Sequence, residues 1–361
     1  MNGSAAPGKP ASSPLRVVAF TGGEEVPGAR FRVRAYVAAL RELGVRLEES
    51  PSRFGTYPPR SLIKRPFWAG ACLASRLYDI STTGPVDVTL FQREFLSTFV
   101  TLEPLTKRPR VLDVDDAIWV HRGGGFARRL AGLCDLVLCG NDFLAERFSR
   151  WSRRVEVLPT VVDTERFVPA PAPPERPVIG WSGTSSTLRY LSGIEEPLRK
   201  VLATHPCALL RVVCDEPPQL PTIPPEQIEF IRWSPEREVA AIQGMTVGLM
   251  PLNDTEVSRG KCGLKMLLYL ACGVPVVVSP VGVNSEVLAK GDVGRAASTA
   301  SEWEKAVTGF LREPLVAREA GRVGRELVVS TYSVRAAAPR LAALLYGVAG
   351  REAPKNPASN P

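Results

Sequence analysis

A continuous apolar run at residues 274–278 constrains the fold of this chain more than any other feature. Most of its residues are valine, and such a run is typical of a parallel strand whose two faces are both covered. The apolar segment 264–271 before it ends at Gly273 and predicts a buried helix. A buried helix followed by a buried strand is the repeating unit of α/β folds, so we expect a parallel sheet flanked by helices.

The loops around this helix and strand are suited to an anionic ligand. An apolar strand at residues 247–252 leads into a loop that brings Arg259 and Lys261 to the predicted start of the helix. Free backbone N–H groups and the helix dipole attract anions there, and the two cations can neutralise a phosphate. Beyond the buried strand lies the loop 279–286, with Ser285 as the predicted N-cap of the next helix. Ligands of parallel sheets bind beyond the carboxyl ends of strands, so both loops are expected to face one crevice.

Length and charge limit the classes of protein to consider. At 361 residues the chain suits two domains, and its net charge of +8 favours an acidic partner such as a nucleotide diphosphate or an anionic lipid. It has no dense Lys/Arg block interleaved with aromatic residues, so nucleic acid is not an expected partner. No apolar run approaches the roughly 20 residues of a membrane span. The Ser-, Ala-, Gly- and Pro-rich residues 1–14 predict a disordered tail rather than a signal peptide, and hence a cytoplasmic protein.

Residues 261–277 read KCGLKMLLYLACGVPVV and are followed by Pro280-Val281-Gly282 and Glu286. This long motif resembles the donor-binding segment of family 4 glycosyltransferases. The resemblance implies the GT-B architecture, an α/β fold with two Rossmann-like domains facing a cleft. It also implies transfer of a sugar, of the hexosyltransferase type, from a nucleotide-sugar to a hydroxyl acceptor in glycan or glycoconjugate biosynthesis. Retention of configuration, no metal and no cofactor besides the nucleotide-sugar substrate are the further expectations.

The chain departs from that motif at two positions. Many members carry two Glu eight residues apart, one near the donor sugar and one near the ribose, and Gly260 and Leu268 stand there in this sequence. A branch with lysines at Lys261 and Lys265 is closer. The sugar and ribose contacts are therefore expected from other residues. Loss of both carboxylates leaves a second hypothesis open, a nucleotide-sugar-binding partner subunit without catalysis.

The resemblance also gives an expected division of the chain, which a Pro- and Ala-rich linker supports. The expected parts are a disordered tail (1–14), an acceptor-side domain (15–170), the linker (171–177), a nucleotide-sugar-binding domain (178–331), a helix crossing back to the first domain (332–349) and a disordered end (350–361).

Donor-side residues follow from the same resemblance. Lys261 and Arg259 are expected to stabilise the leaving diphosphate, and His121 to align the donor sugar, although a lone histidine is more often structural. Thr184 lies in a loop of small hydroxyl residues that either caps a helix or holds phosphate oxygens. The full set of predicted donor-binding residues is Gly183, Thr184, Arg232, Trp233, Gly260, Lys265, Val281, Gly282 and Glu286.

The acceptor side is predicted to include the first loop and an acid run. Gly22, Gly23 and Arg30 resemble the family's first loop, with a solvated basic helix face as the alternative for Arg30. The run 113–116 includes Asp115 and Asp116, and a similar acid run occurs at this strand in the branch of the family that this chain resembles, so the resemblance implies an acceptor-side pocket. A metal-binding D-x-D and a haloacid dehalogenase-like phosphatase are weaker alternatives, and simple capping of the strand end is a further one. No metal is expected.

A basic segment at residues 53–76 carries Arg60, Lys64 and Arg65 among apolar residues that include Phe67 and Trp68. It is either a helix docked on its own domain or a segment lying in a membrane interface. The membrane alternative implies a lipid-linked sugar as acceptor and peripheral contact at the inner membrane face. The docked helix favours a small metabolite as acceptor.

Overall fold

The computed structural model describes residues 13–354, except for the side chains of His121 and Arg122. Residues 1–12 and 355–361, which make up most of the two predicted tails, lie outside this description. Contacts group the chain into two compact units. One unit runs up to Leu112 and includes Leu133–Leu136 and the residues from Ala338 onward; the other comprises Asp113–Gly132 and Val137–Ala337. The domain boundaries predicted from the sequence stay predictions.

Two six-stranded sheets organise the chain, as the α/β prediction required. The first sheet has the order β2-β1-β3-β4-β5-β6, and β1 pairs in parallel with both β2 and β3. Its strands are β1 (Leu15–Thr21), β2 (Val45–Pro51), β3 (Val88–Gln92), β4 (Arg110–Val114), β5 (Leu136–Cys139) and β6 (Val155–Val157).

The helices among these strands follow the amphipathic segments of the sequence. A π-helical turn, Ala29–Val33, and a 3₁₀ turn, Arg34–Tyr36, lead directly into the first regular helix, and another 3₁₀ segment, Ile118–Gly124, follows the acid run. The regular helices are α1 (Val37–Glu42), α2 (Lys64–Thr82), α3 (Gly125–Leu133) and α4 (Asp142–Phe148).

The second sheet has the order β12-β11-β10-β7-β8-β9, and all five strand pairs are parallel. The strand order reverses between β7 and β10, which is the position where doubly wound sheets open a ligand crevice at their carboxyl ends. Its strands are β7 (Val178–Ser182), β8 (Leu209–Cys214), β9 (Ile228–Arg232), β10 (Val247–Met250), β11 (Val276–Val278) and β12 (Gly294–Ala296).

Helices cover this sheet and close its hydrophobic core. Trp181 on β7 and Phe310 on a long amphipathic helix are almost fully buried within it. These helices are α5 (Leu188–Ser192), α6 (Glu195–Thr204), α7 (Pro235–Gln243), α8 (Glu256–Arg259), α9 (Leu264–Ala271), α10 (Val283–Leu288), α11 (Ala300–Arg312) and α12 (Pro314–Leu327). The last helix, α13 (Val334–Val348), lies mostly in the first unit, which includes the residues from Ala338 onward.

Candidate donor site

The crevice position of the second sheet is lined by the loop that follows β7. Gly183 leaves no room for a side chain, because a Cβ there would lie 2.4 Å from both the Lys265 Nζ and the Trp181 ring. The Lys265 ammonium stacks over that ring at 4.3 Å from its centroid and donates a 3.3 Å hydrogen bond to Thr187 Oγ1. The predicted donor residues Gly183 and Lys265 are therefore neighbours, and the Lys265 ammonium packs on the Trp181 ring beside Gly183.

The hydroxyl-rich loop after Gly183 forms a capped helix start. The Thr184 amide donates to Thr187 Oγ1 at 3.2 Å, and the Thr187 amide donates back to the Thr184 carbonyl at 2.8 Å. The Ser185 amide and hydroxyl both donate to Asp215, at 2.6 and 2.8 Å. These backbone donors are engaged within the protein, so the geometry favours the capping role that the sequence left open for Thr184.

The segment from Arg259 to Gly263 differs from the sequence-based expectation. Arg259 and Lys261 were expected at the start of the apolar helix, but Arg259 ends the short helix α8 and α9 begins only at Leu264. Gly263 lies between them with φ of 68°, a left-handed conformation that glycine adopts without strain and that interrupts the helix. Arg259 is exposed, and its guanidinium forms a two-bonded ion pair with Asp254 at 2.7 and 2.8 Å.

A cationic cluster surrounds the buried hydroxyl of Tyr190, which sequence reasoning missed. Arg189 Nη2 donates to Tyr190 Oη at 3.3 Å, and the Ser258 side chain hydrogen-bonds the same hydroxyl. Burial raises the pKa of Tyr190, but these hydrogen bonds together with the charges of Arg189 and Lys261 outweigh it and leave the pKa below its ordinary value. Lys265 lies near enough to Lys261 to be affected by its charge, so Arg189, Lys261 and Lys265 form a group of three basic side chains around the loops that follow β7 and β10.

The loop after β11 packs on the same segment. Gly282 has φ of 55°, and a Cβ there would lie 3.0 Å from the Arg259 carbonyl oxygen, so Gly282 and Arg259 are in close contact. Helix α10 begins at Val283 with Gly282 as its N-cap, which makes the expected capping role of Ser285 wrong. Val281 is half-buried beside Gly282, whereas Glu286 is exposed on α10.

Two of the predicted donor-binding residues, Arg232 and Trp233, lie at the end of β9, two strands away from β7. Arg232 Nη1 donates to the Asp215 carbonyl at 3.0 Å. Trp233 Nε1 donates to the buried Glu238 at 3.2 Å. Arg232 is thus tied to the hydroxyl-rich loop through Asp215, which also binds Ser185, whereas Trp233 is tied to helix α7.

The acid run continues from β4, with Asp113 buried and both Asp115 and Asp116 half-buried. Asp116 Oδ1 accepts the amide of Ala117 at 2.9 Å, which is a local cap of the strand end. Within residues 13–354, apart from the two side chains outside the description, no group of three or more His, Cys, Asp or Glu is placed to hold a metal. The His121 backbone lies in the 3₁₀ segment, but its predicted role falls on a side chain outside the described part.

The predicted acceptor-side residues follow β1. A Cβ on Gly22 would lie 2.7 Å from Thr56 Oγ1, and Gly23 has φ of 144°, so this turn depends on glycine. Arg30 is half-buried and lies over the ring of Phe31 at 4.9 Å from its centroid. The first loop and Arg30 are thus brought to the carboxyl end of β1, next to the strand-order reversal between β1 and β3.

Comparisons with known proteins bear on the family and on the fold of this chain. Residues 177–313 match the family model described as glycosyl transferases group 1. No curated protein matches the chain in sequence.

Several solved structures share the fold over nearly the whole chain. HepE of Anabaena, in complex with UDP and glucose, is similar with a TM-score of 0.66 at 11% identity, over 92% of this chain and 100% of HepE. WaaG, a glycosyltransferase involved in lipopolysaccharide biosynthesis, gives 0.62 at 14% identity, over 92% and 100%. A glycosyltransferase from Rickettsia africae gives 0.62 at 12% identity, over 92% and 98%. The chain therefore has the GT-B fold of these structures, as its motif predicted, and its residues 177–313 match the model of the group 1 glycosyl transferases.

Proposed function

We propose that this protein transfers a hexose from a nucleotide-sugar donor to a hydroxyl acceptor, with retention of configuration and without a metal ion. The observation that carries the proposal is the cluster of Arg189, Lys261 and Lys265 at the strand-order reversal of the second sheet. A diphosphate needs such a concentration of positive charge, and the family match covers the same residues. The HepE complex with UDP-glucose supports a nucleotide-sugar donor.

The chemistry follows from charge. As the bond between the anomeric carbon and the diphosphate breaks, negative charge builds on the leaving oxygen, and fixed cations stabilise it without reorganising. Lys261 is the cation best suited to this, because Arg259 is already paired with Asp254. If the acceptor hydroxyl attacks from the face that the diphosphate leaves, no protein nucleophile is needed. The absence of carboxylates at Gly260 and Leu268 is compatible with that route.

The alternative, a nucleotide-sugar-binding subunit without catalysis, is favoured by those same two missing carboxylates. It predicts saturable donor binding with neither transfer nor hydrolysis. A panel of radiolabelled nucleotide-sugars, assayed for both release and transfer of the sugar, separates the two functions.

Lys261→Ala tests the donor assignment. A charge-assisted hydrogen bond to phosphate contributes about 1.5 to 3 kcal/mol, so we expect donor binding to weaken by roughly ten- to a hundredfold. Lys305→Ala is the matched control, since it removes the same charge from an exposed position on α11. Titration calorimetry with UDP and with UDP-glucose measures the effect. Equal affinities in the two variants would remove Lys261 from the site.

We also propose that the acceptor is presented at a membrane surface, through the start of α2. Ile63, Phe67 and Leu62 are 82, 78 and 69% exposed, an arrangement that is costly in water. The basic residues Lys64 and Arg65 lie between them in the sequence, and residues 50–78 contain no acidic residue. This chemistry suits an anionic bilayer: apolar side chains enter the headgroup layer while basic ones bind phosphate.

The membrane contact would be peripheral. None of the helices within residues 13–354 combines the length and the apolar character that crossing a bilayer requires. A lipid-linked sugar then becomes the acceptor class, with transfer on the cytoplasmic face of the membrane.

A further inference from the structure

Asn141 connects the end of β5 to the segment that carries Lys261. It is buried, and its Oδ1 accepts the amide of Leu144 at 2.9 Å, so that one half of its amide caps helix α4. The other half faces away from that helix. Its Nδ2 lies 3.2 Å from the carbonyl oxygen of Arg259 and 3.2 Å from that of Lys261. An amide nitrogen has two hydrogens, and each is matched here by one carbonyl.

The backbone around Gly260 is held at further points. A Cβ on Gly260 would lie 2.8 Å from the Ala117 nitrogen and 2.7 Å from the Ala117 Cβ, so the two backbones are in direct contact. Cys262 Sγ lies 3.3 Å from the Asp115 carbonyl oxygen, and a Cβ on Gly140 would meet the same sulfur. The segment 259–262 is therefore fixed against the chain that follows β4 and β5.

Fixing this backbone has a direct effect on the lysine. Asn141 binds the carbonyls of Arg259 and Lys261, so its amide holds the main chain on both sides of Gly260. A lysine side chain has four rotatable bonds, and a fixed backbone is the part of its position that the protein can control. Without the amide, both carbonyls would also lose this hydrogen-bond donor.

We infer that Asn141 is a positioning residue of the donor site, which holds the Arg259–Lys261 backbone and so presents the Lys261 ammonium to the donor diphosphate. This inference rests on the proposed function, because it takes Lys261 as the phosphate-binding cation. Asn141 itself does not touch the donor. Its contribution passes through Lys261.

The test is a double-mutant cycle on donor binding, with UDP and UDP-glucose as probes. Asn141→Ser keeps a good N-cap for α4 but loses the Nδ2 donor. We expect about a tenfold rise in the donor KM and Kd with only a small loss of thermal stability. In the Lys261→Ala background the same substitution should change donor affinity by less than twofold, since the side chain that it positions is absent. Asn141→Asp, which also caps, serves as the second variant if Asn141→Ser does not fold.

A control separates capping from positioning. Thr299 caps α11 through its hydroxyl and has no contact with the donor segment among its hydrogen bonds, so Thr299→Ala should lower the Tm and leave the donor KM unchanged. An equal effect of Asn141→Ser in both Lys261 backgrounds, or no effect in the wild type, would overturn the positioning role. If Lys261→Ala alone leaves donor affinity unchanged, it is the donor assignment that fails.

Discussion

At the scale of single residues, the surroundings of Lys265 disfavour the protonated form of its side chain. Its ammonium is packed between the Trp181 ring and the Thr187 hydroxyl, with Lys261 and Cys214 as the other ionisable neighbours. Desolvation, reinforced by the positive charge of Lys261, lowers the pKa of Lys265 to about 7. Without a ligand the lysine is therefore only partly protonated at neutral pH. An anionic donor would supply the missing counter-charge and draw a proton onto it.

From these surroundings we expect Lys265→Met to raise the stability of the protein and to weaken its binding of UDP. The folded pKa lies below the unfolded value, so the unfolded chain holds more protons between about pH 7 and 10.5 and wild-type stability should rise with pH in that window. Lys265→Met should remove this rise and have the higher Tm at pH 7. Wild-type affinity for UDP should fall by up to tenfold per pH unit above pH 7, and the variant should bind more weakly with a flat profile.

Thermal unfolding and calorimetry from pH 6.5 to 9.5 measure both effects. A wild-type UDP affinity that stays constant over this range would contradict the proton uptake. A variant less stable than the wild type at pH 7 would show that the contact with Trp181 outweighs the desolvation of the charge.

At the scale of secondary-structure elements, α2 gives the next prediction. If its start binds an anionic bilayer, each basic residue contributes about 1 kcal/mol, so Lys64→Glu/Arg65→Glu should weaken partitioning by at least on the order of thirtyfold. The control is Arg128→Glu/Arg129→Glu, which makes the same charge change on the exposed face of α3. Sedimentation with vesicles of phosphatidylglycerol and phosphatidylcholine, at low and high salt, is the measurement.

The apolar half of the same element is tested separately. Ile63→Ser/Phe67→Ser removes the exposed side chains and leaves the charge unchanged, and it should also reduce sedimentation. If the wild type does not sediment with anionic vesicles at low salt, or if both double variants sediment like it, a soluble acceptor becomes the better hypothesis.

The elements also show which parts of the fold the sequence could predict. Buried strands such as β10 and β11 were predicted because a short, continuous apolar run is typical of a strand that is covered on both faces. The edge strands β2 and β12 were missed. In β2 the residues Arg46, Glu48 and Glu49 interrupt the apolar pattern, because the side chains of Arg46 and Glu48 are exposed to water, and β12 has only three residues.

The candidate site was predictable where a residue's chemistry acts locally and less so where it depends on packing. Lys265 and Gly183 were both predicted, although nothing in the sequence indicated that they touch. Tyr190 and Asn141 were missed, since their importance comes from partners about 70 and 120 residues away in the chain. An asparagine directly after a buried strand is usually a helix cap, and Asn141 is that as well.

At the scale of the whole molecule, the net charge bears on whether sugar transfer needs a metal ion. Under the proposed function, the net charge of +8 and the basic cluster at the donor site would neutralise the diphosphate without a metal ion. Transfer should therefore persist after exhaustive treatment with EDTA, within about twofold of the untreated rate. Assays of sugar transfer with and without added Mn²⁺ or Mg²⁺ provide the check. Complete loss with EDTA that Mn²⁺ restores would indicate that the acid run at Asp113 to Asp116 binds a metal.

The close contact between Gly260 and Ala117 limits which residues can stand at position 260. A single base change can turn a glycine codon into one for glutamate, yet here any side chain at position 260 would strike the main-chain nitrogen of Ala117. Replacing Ala117 by glycine would relieve only the contact with its Cβ. A glutamate at position 260 would therefore need the chain after β4 to move first, so space at this contact, and not the genetic code, keeps a carboxylate out of the position.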